Sequence, residues 1–206
     1  MKVMVVNGSS RRNGCTGRAL QEVSSTLHDQ GIETEEVFIG NNPMSDCLAC
    51  NKCRSIGKCV IDDLVNEVAE KARDCDGFVF GSPVYYAHPS ARILTFMDRL
   101  FYSSGGSLAF KPAAAVLSAR RAGNTASMDV MNKYFTINSM PVVSSTYWNH
   151  VFGSEPEQVE MDLEGLQTMR NIGLNMAWMI RCIEAGKKEG IEHPVYGRKT
   201  STSFFR

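Results

Sequence analysis

Residues 3–17 read VMVVNGSSRRNGCTG. Val3 to Val6 is a continuous apolar run with no polar alternation, which suits a strand covered on both faces. It breaks at Asn7-Gly8 into a loop of small, hydroxylated and basic residues. From about Thr16 to Gln30, Leu20, Val23 and Leu27 recur at helical spacing, and Gly31 is the stop signal. A buried strand, a polar loop and an amphipathic helix therefore open the chain.

The same unit recurs along the chain. Further strands are expected at Glu36–Ile39, Gly77–Phe80, Ala113–Leu117 and Pro141–Val143. Helices are expected over Asp62–Arg73, Ser90–Phe101, Thr125–Phe135 and Val159–Glu184. Strand and helix alternate five times with no internal repeat and no linker, the signature of a parallel sheet with helices on both faces. The expected layout is one domain over residues 1–185, with a cysteine-rich insertion at 47–59 and a basic tail over 186–206.

Composition narrows the function. The chain has 206 residues, 43% hydrophobic and 21% charged, with 22 basic residues balancing 22 acidic ones. No net field favours nucleic acid or an anionic membrane. MKVMVV is too short for a signal-peptide core, and no apolar run reaches membrane-spanning length. The expected location is the cytoplasm, where a tight cysteine group more often binds metal than forms disulfides.

In a sheet of this kind ligands bind at the carboxyl ends of the strands. Three loops leave that edge. In NGSSRRNGCTG, glycine, hydroxyls and a guanidinium precede a helix N-terminus, a composition suited to a terminal phosphate. It matches neither G-x-x-x-x-G-K-[ST] nor G-x-G-x-x-G. In GSPVYYAHP, Pro83, Tyr85 and Tyr86 offer flat surfaces to a planar heterocycle. In SARRAGNT, Ser118, Arg120, Arg121 and Gly123 bring donors and close backbone approach to ring carbonyl oxygens.

A fourth feature stands apart. CLACNKCRSIGKC, residues 47–59, sets Cys47, Cys50, Cys53 and Cys59 at C-x2-C-x2-C-x5-C. Three ligands in one loop, then a joint at Ser55-Ile56-Gly57, suit a cuboidal iron–sulfur cluster, with Lys52, Arg54 and Lys58 offsetting its charge. A four-thiolate zinc site and an unmetallated loop remain open on the residues alone.

GSSRRNGCT, CLACNKCRSIGKCVIDD, DGFVFGSPVYY and FMDRL, in this order, resemble the flavodoxin-like NAD(P)H-dependent FMN reductases, and within them the iron–sulfur flavoproteins. Ser10 and Cys15 depart from that pattern, where proline and asparagine are common. The resemblance implies an α/β, doubly wound, five-stranded parallel sheet of order 2-1-3-4-5. It places the FMN phosphate on Ser9, Arg11, Asn13, Gly14, Cys15 and Thr16. Pro83, Val84, Tyr85 and Tyr86 would line the isoalloxazine and ribityl chain, and Ser118, Ala119, Arg120, Arg121 and Gly123 would close over the ring. It also matches Cys47, Cys50, Cys53 and Cys59 to a [4Fe–4S] motif.

The expected function is electron transfer from NAD(P)H or a reduced carrier, ferredoxin among the candidates, through FMN to a small acceptor. Alternatives are an electron carrier with no nicotinamide step and a redox-sensing cysteine protein without enzyme activity. A homodimer or homotetramer is expected, with no nucleic-acid or membrane partner. Asp98-Arg99 reads as a capping or interface pair, His88 as a loop hydrogen-bonder, and Tyr147-Trp148-Asn149 as aromatic core just after the fifth strand.

Overall fold

Alternate residues of the central strands are buried against two different helical layers, which is why those strands read as unbroken apolar runs. In the computed structural model, which describes residues 1–197, 200 and 202, the central strands are β1 (Lys2–Asn7), β3 (Gly77–Tyr85) and β5 (Ala113–Ala119). Val3, Val5, Val79, Ala114 and Val116 face one layer, formed by α1 (Cys15–Asp29) and α7 (Leu163–Lys188). Met4, Val6, Phe78, Phe80, Ala115 and Leu117 face the other, formed by α3 (Leu64–Lys71), α4 (Ala91–Leu108) and α5 (Asn124–Ile137).

With β2 (Glu33–Phe38), β4 (His88–Pro89) and β6 (His150–Phe152) the sheet has six strands among the described residues. Five run parallel in the order β2-β1-β3-β5-β6, and the two-residue β4 turns back antiparallel on β3. Leaving β4 aside, this is the expected 2-1-3-4-5 order of a flavodoxin-like sheet.

The edge strand differs from expectation. Pro141–Val143 is not a strand: Val142 makes only an isolated bridge to Ala113, and the paired strand is β6, eight residues beyond Val142 at His150, which faces Leu117. Between those two contacts β5 advances four residues while the edge chain advances eight, so four extra residues bulge outward. Tyr147 and Trp148 ride on this bulge, 50% and 51% exposed, before the last strand rather than after it. They are not core.

Other boundaries move for local reasons. β3 continues past Gly81-Ser82-Pro83 to Tyr85, because β4 pairs with its end. α4 runs to Leu108 rather than Phe101. The joint at Ser55-Ile56-Gly57 is ordered: α2 (Cys53–Ile56) is one helical turn, closed by Gly57 at φ 71. The expected helix over 62–73 is α3, capped by Asp63 accepting from Val65 N–H at 3.1 Å, followed by a 3-10 turn over Ala72–Asp74. The last helix is preceded by the short α6 (Pro156–Val159) and continues through Lys188, into the expected tail. Of that tail, residues 198, 199, 201 and 203–206 lie outside the described residues. Among the described residues no helix is long and apolar enough to cross a membrane.

Candidate functional site

The first loop is shaped by its own backbone. Asn7 accepts from Ser9 N–H at 3.0 Å and donates to Arg12 C=O at 3.0 Å, while Arg11 N–H donates to Ser9 Oγ at 3.1 Å. The turn ends at Gly14, the N-cap of α1, where no side chain caps the helix and no acid sits in the first turn. The opening amides of α1 thus lie open beside the small hydroxyls, an arrangement that accepts an anion. Gly14 and Thr16 are buried, whereas Arg11 and Asn13 reach into solvent. Cys15 is half-buried; burial raises its thiol pKa, so it is no low-pKa nucleophile.

All three loops meet. Gly8 N–H donates to Gly81 C=O at 2.9 Å, and Ser90, the N-cap of α4, donates from Oγ to Gly8 C=O at 3.0 Å. Thr16 and Ser118 share a buried hydroxyl contact of 2.8 Å. Gly123 adopts φ 93 and lies so close to the second loop that a Cβ there would sit 2.5 Å from Ala87 Cα. Pro83 and Val84 are half-buried at the end of β3, and Ser118 and Ala119 are buried at the end of β5. Tyr85, Tyr86, Arg120 and Arg121 are exposed at the rim. Tyr86 and Ala87, at φ 51 and 59, make the tight turn into β4. One sheet edge therefore gathers an open helix N-terminus, an aromatic turn and a glycine-hinged loop, the parts that a phosphate-bearing planar cofactor needs.

The bulge creates a feature that sequence reasoning missed. A cavity of about 400 Å³ lies behind the third loop, lined by Gly123, Asn124, Tyr147, Trp148, His150 and Thr168 among others. His150 is buried, which pushes its pKa down despite Asp162 and Glu164. Only the pairing of β6 reveals this space, since it depends on where the edge strand resumes.

The four cysteines form a second locus. Cys47, Cys50, Cys53 and Cys59 all line one small cavity of about 30 Å³ against α4, beside Arg99 and Tyr102. Ala49 and Asn51 take left-handed conformations, φ 50 and 55, that curl the segment round it. Cys53 Sγ donates to Tyr102 C=O at 3.6 Å, and Asn66 accepts from Cys59 N–H at 2.9 Å and donates to its C=O at 3.0 Å. Among the described residues no group of three or more His, Cys, Asp or Glu is placed to hold a metal ion. All four cysteines line this one space, and four thiolates are the donor set that a [4Fe–4S] cluster takes.

The basic residues expected to serve this locus, Lys52, Arg54 and Lys58, are all exposed. Among the described residues the basic side chain that reaches the thiols is Arg99, fully buried and donating to Cys59 Sγ at 3.4 Å. Arg99 is not paired with Asp98, which accepts from Tyr134 OH. Burial works against its charge, but Asp63 and Cys59 outweigh that and raise its pKa. A charge beside Phe96 and Leu100 on an otherwise apolar helical stripe was the available signal. Arg99 is nine residues beyond Ser90, so the cysteine locus lies about 14 Å down α4 from the loop edge. It is on the flank, not at the edge.

Sheet order and loop convergence define a flavodoxin-like α/β protein with one gathered site at the sheet edge. The chain belongs to the NADPH-dependent FMN reductase family, whose model matches residues 1–154. An iron–sulfur flavoprotein of Methanocaldococcus jannaschii is 32% identical over 198 residues, covering 89% of this chain and 100% of the relative. An iron–sulfur flavoprotein of Methanosarcina thermophila is 27% identical, covering 91% of this chain and 99% of its own length. Among solved structures, a flavodoxin from the domain Archaea superposes with a TM-score of 0.61 at 15% identity, covering 88% of this chain and 99% of that one. The protein is an FMN-dependent oxidoreductase.

Proposed function

We propose that this oxidoreductase passes electrons from NAD(P)H, or from a reduced carrier such as ferredoxin, through FMN to a small acceptor in the cytoplasm. The observation that carries the reading is the joining of three loops at one edge by Gly8–Gly81, Thr16–Ser118 and Gly123–Ala87. FMN, when bound, supplies the hydride and one-electron chemistry, and the protein supplies position and electrostatics. The α1 amides, Ser9 and Arg11 would hold its phosphate, and the Pro83–Tyr86 and Ser118–Gly123 segments its ring. The 400 Å³ cavity behind Gly123 is of a size for a small acceptor, and Tyr147 and Trp148 give it flat walls.

Cys47, Cys50, Cys53 and Cys59 would hold a [4Fe–4S] cluster that supplies single electrons. This is favoured by the shared cavity and by relatives named iron–sulfur flavoproteins. The same names favour a second reading, an electron carrier fed without any nicotinamide step. Because the cysteine locus sits on the flank, the flavin it serves would belong to a neighbouring subunit of a homodimer or homotetramer.

Anaerobic reconstitution followed by iron and sulfide assay tests the cluster; about four of each per chain is expected. Stopped-flow mixing of the FMN-loaded protein with NADH, NADPH and reduced ferredoxin tests the donor. Fast bleaching by a nicotinamide supports the reductase reading, and bleaching by ferredoxin alone supports the carrier.

A further inference from the structure

The Arg99 side chain has no exposed surface, and each of its five N–H donors has a partner. Nη1 donates to Asp63 Oδ2 at 2.6 Å and to Ser45 C=O at 3.3 Å. Nη2 donates to Asp63 Oδ1 at 2.8 Å and to Ile61 C=O at 3.0 Å. Nε donates to Cys59 Sγ at 3.4 Å. Ser45 lies just before the cysteine segment, and Ile61 and Asp63 just after it. One planar group on a core helix therefore ties both ends of the segment together and points its remaining donor at the Cys59 sulfur.

We propose that Arg99 is the positioning residue of the cysteine locus: it ties both ends of residues 45–63 to α4 before any cluster arrives and, through its N–H to Cys59, favours the reduced cluster. The second half rests on the cluster reading above; the first does not. The physical argument for the first half is pre-organisation. A segment with four thiols, two left-handed residues and one turn of helix carries little packing of its own, for Leu48, Cys50 and Ile56 are exposed. Its order must come from its anchors. The bidentate Asp63 pair fixes the guanidinium plane, and Asp63 is itself fixed as the cap of α3. For the second half, a hydrogen bond to a ligand sulfur withdraws negative charge from it, which is one of the ways a protein raises a cluster's potential.

Lysine at this position keeps a cation but loses the fork and the directed Nε–H. The cluster-free, full-length chain is compared as wild type, Arg99→Lys and Asp63→Asn by amide hydrogen exchange read by mass spectrometry. Exchange in peptides spanning 45–61 is expected to rise about tenfold in Arg99→Lys and roughly threefold in Asp63→Asn, with β1 and β5 peptides unchanged. A merely structural ion pair would loosen the strands as well, and that result, or unchanged exchange at 45–61, overturns the clamp. Should Arg99→Lys fail to fold, the Asp63→Asn chain decides the same point.

The reconstituted protein is then poised at one fixed potential and the reduced cluster counted by electron paramagnetic resonance. The ratio of reduced to oxidised cluster is expected to fall about tenfold in Arg99→Lys, equivalent to about 59 mV for one electron. An unchanged ratio overturns the donor role of Nε. If the wild type takes up no iron and sulfide, the cluster reading and the donor role fall together. The exchange comparison still decides the clamp by itself.

Discussion

The hydroxyls of Thr16 and Ser118, 102 residues apart in sequence, lie 2.8 Å from each other at 1% and 3% exposure. This contact pins the start of α1 to the end of β5, joining the first loop to the third. Thr16→Val should leave Ser118 without its buried partner and cost about 1–3 kcal/mol of stability. FMN affinity should fall with it. Urea unfolding with and without FMN measures both, and a neutral result would detach this pair from the site.

The phosphate reading separates two ligands. Ser9→Ala combined with Arg11→Ala should weaken FMN roughly tenfold or more, since hydrogen bonds to a charged group contribute about 1.5–3 kcal/mol each. Riboflavin, lacking the phosphate, should bind both proteins alike. Flavin fluorescence quenching gives the two affinities, and equal losses would place the phosphate elsewhere.

Two glycines should respond with opposite signs. At Gly123, φ 93 and the 2.5 Å approach to Ala87 make alanine strained and crowded, so Gly123→Ala should destabilise by about 1–3 kcal/mol and loosen flavin binding. Gly106 lies within α4, exposed, and a methyl group added there would point into open space. Gly106→Ala should stabilise by about 0.5–1 kcal/mol through helix propensity alone. Thermal melts of the two variants settle both signs.

Cys75 is buried on the α3 layer, and burial pushes its thiol up to about 11 from 9.0. The folded chain therefore keeps this proton where the unfolded chain has lost it. The stability this represents is complete below pH 9.0 and is lost as the pH rises toward about 11. Cys75→Ala should flatten the fall of denaturation midpoint across that window. An identical slope in both proteins would refute the assignment.

The aromatic bulge and the assembly are both accessible to solution measurement. Trp148→Ala should raise the acceptor KM several-fold while leaving the rate of flavin reduction unchanged, as expected for a residue that binds only the acceptor. Light scattering should return the mass of two or four 22.8 kDa chains. A monomer mass at micromolar concentration would leave the flank cysteines with no neighbouring flavin to serve.

Local pattern carries the strands, helices and loops that make the sheet edge. β1, β3 and β5 are apolar on both faces because both faces are covered, and the glycine- and serine-rich loop before α1 shows in composition. The cysteine spacing is likewise visible without a structure. The edge strand is not legible in the same way, because Pro141–Val143 and His150–Phe152 are both short and only pairing with β5 selects between them. Tyr147 and Trp148 share that ambiguity, since core and bulge look the same in an aromatic pair. Arg99 reads as half of a capping or interface pair with Asp98, because its burial depends on acceptors scattered from residue 45 to residue 63. Side-chain periodicity records which faces of an element are buried, but not which distant group meets them. The joining of Thr16 to Ser118 and of Arg99 to Cys59 belongs to the tertiary structure, because a hydrogen bond needs both partners placed to within a few tenths of an ångström.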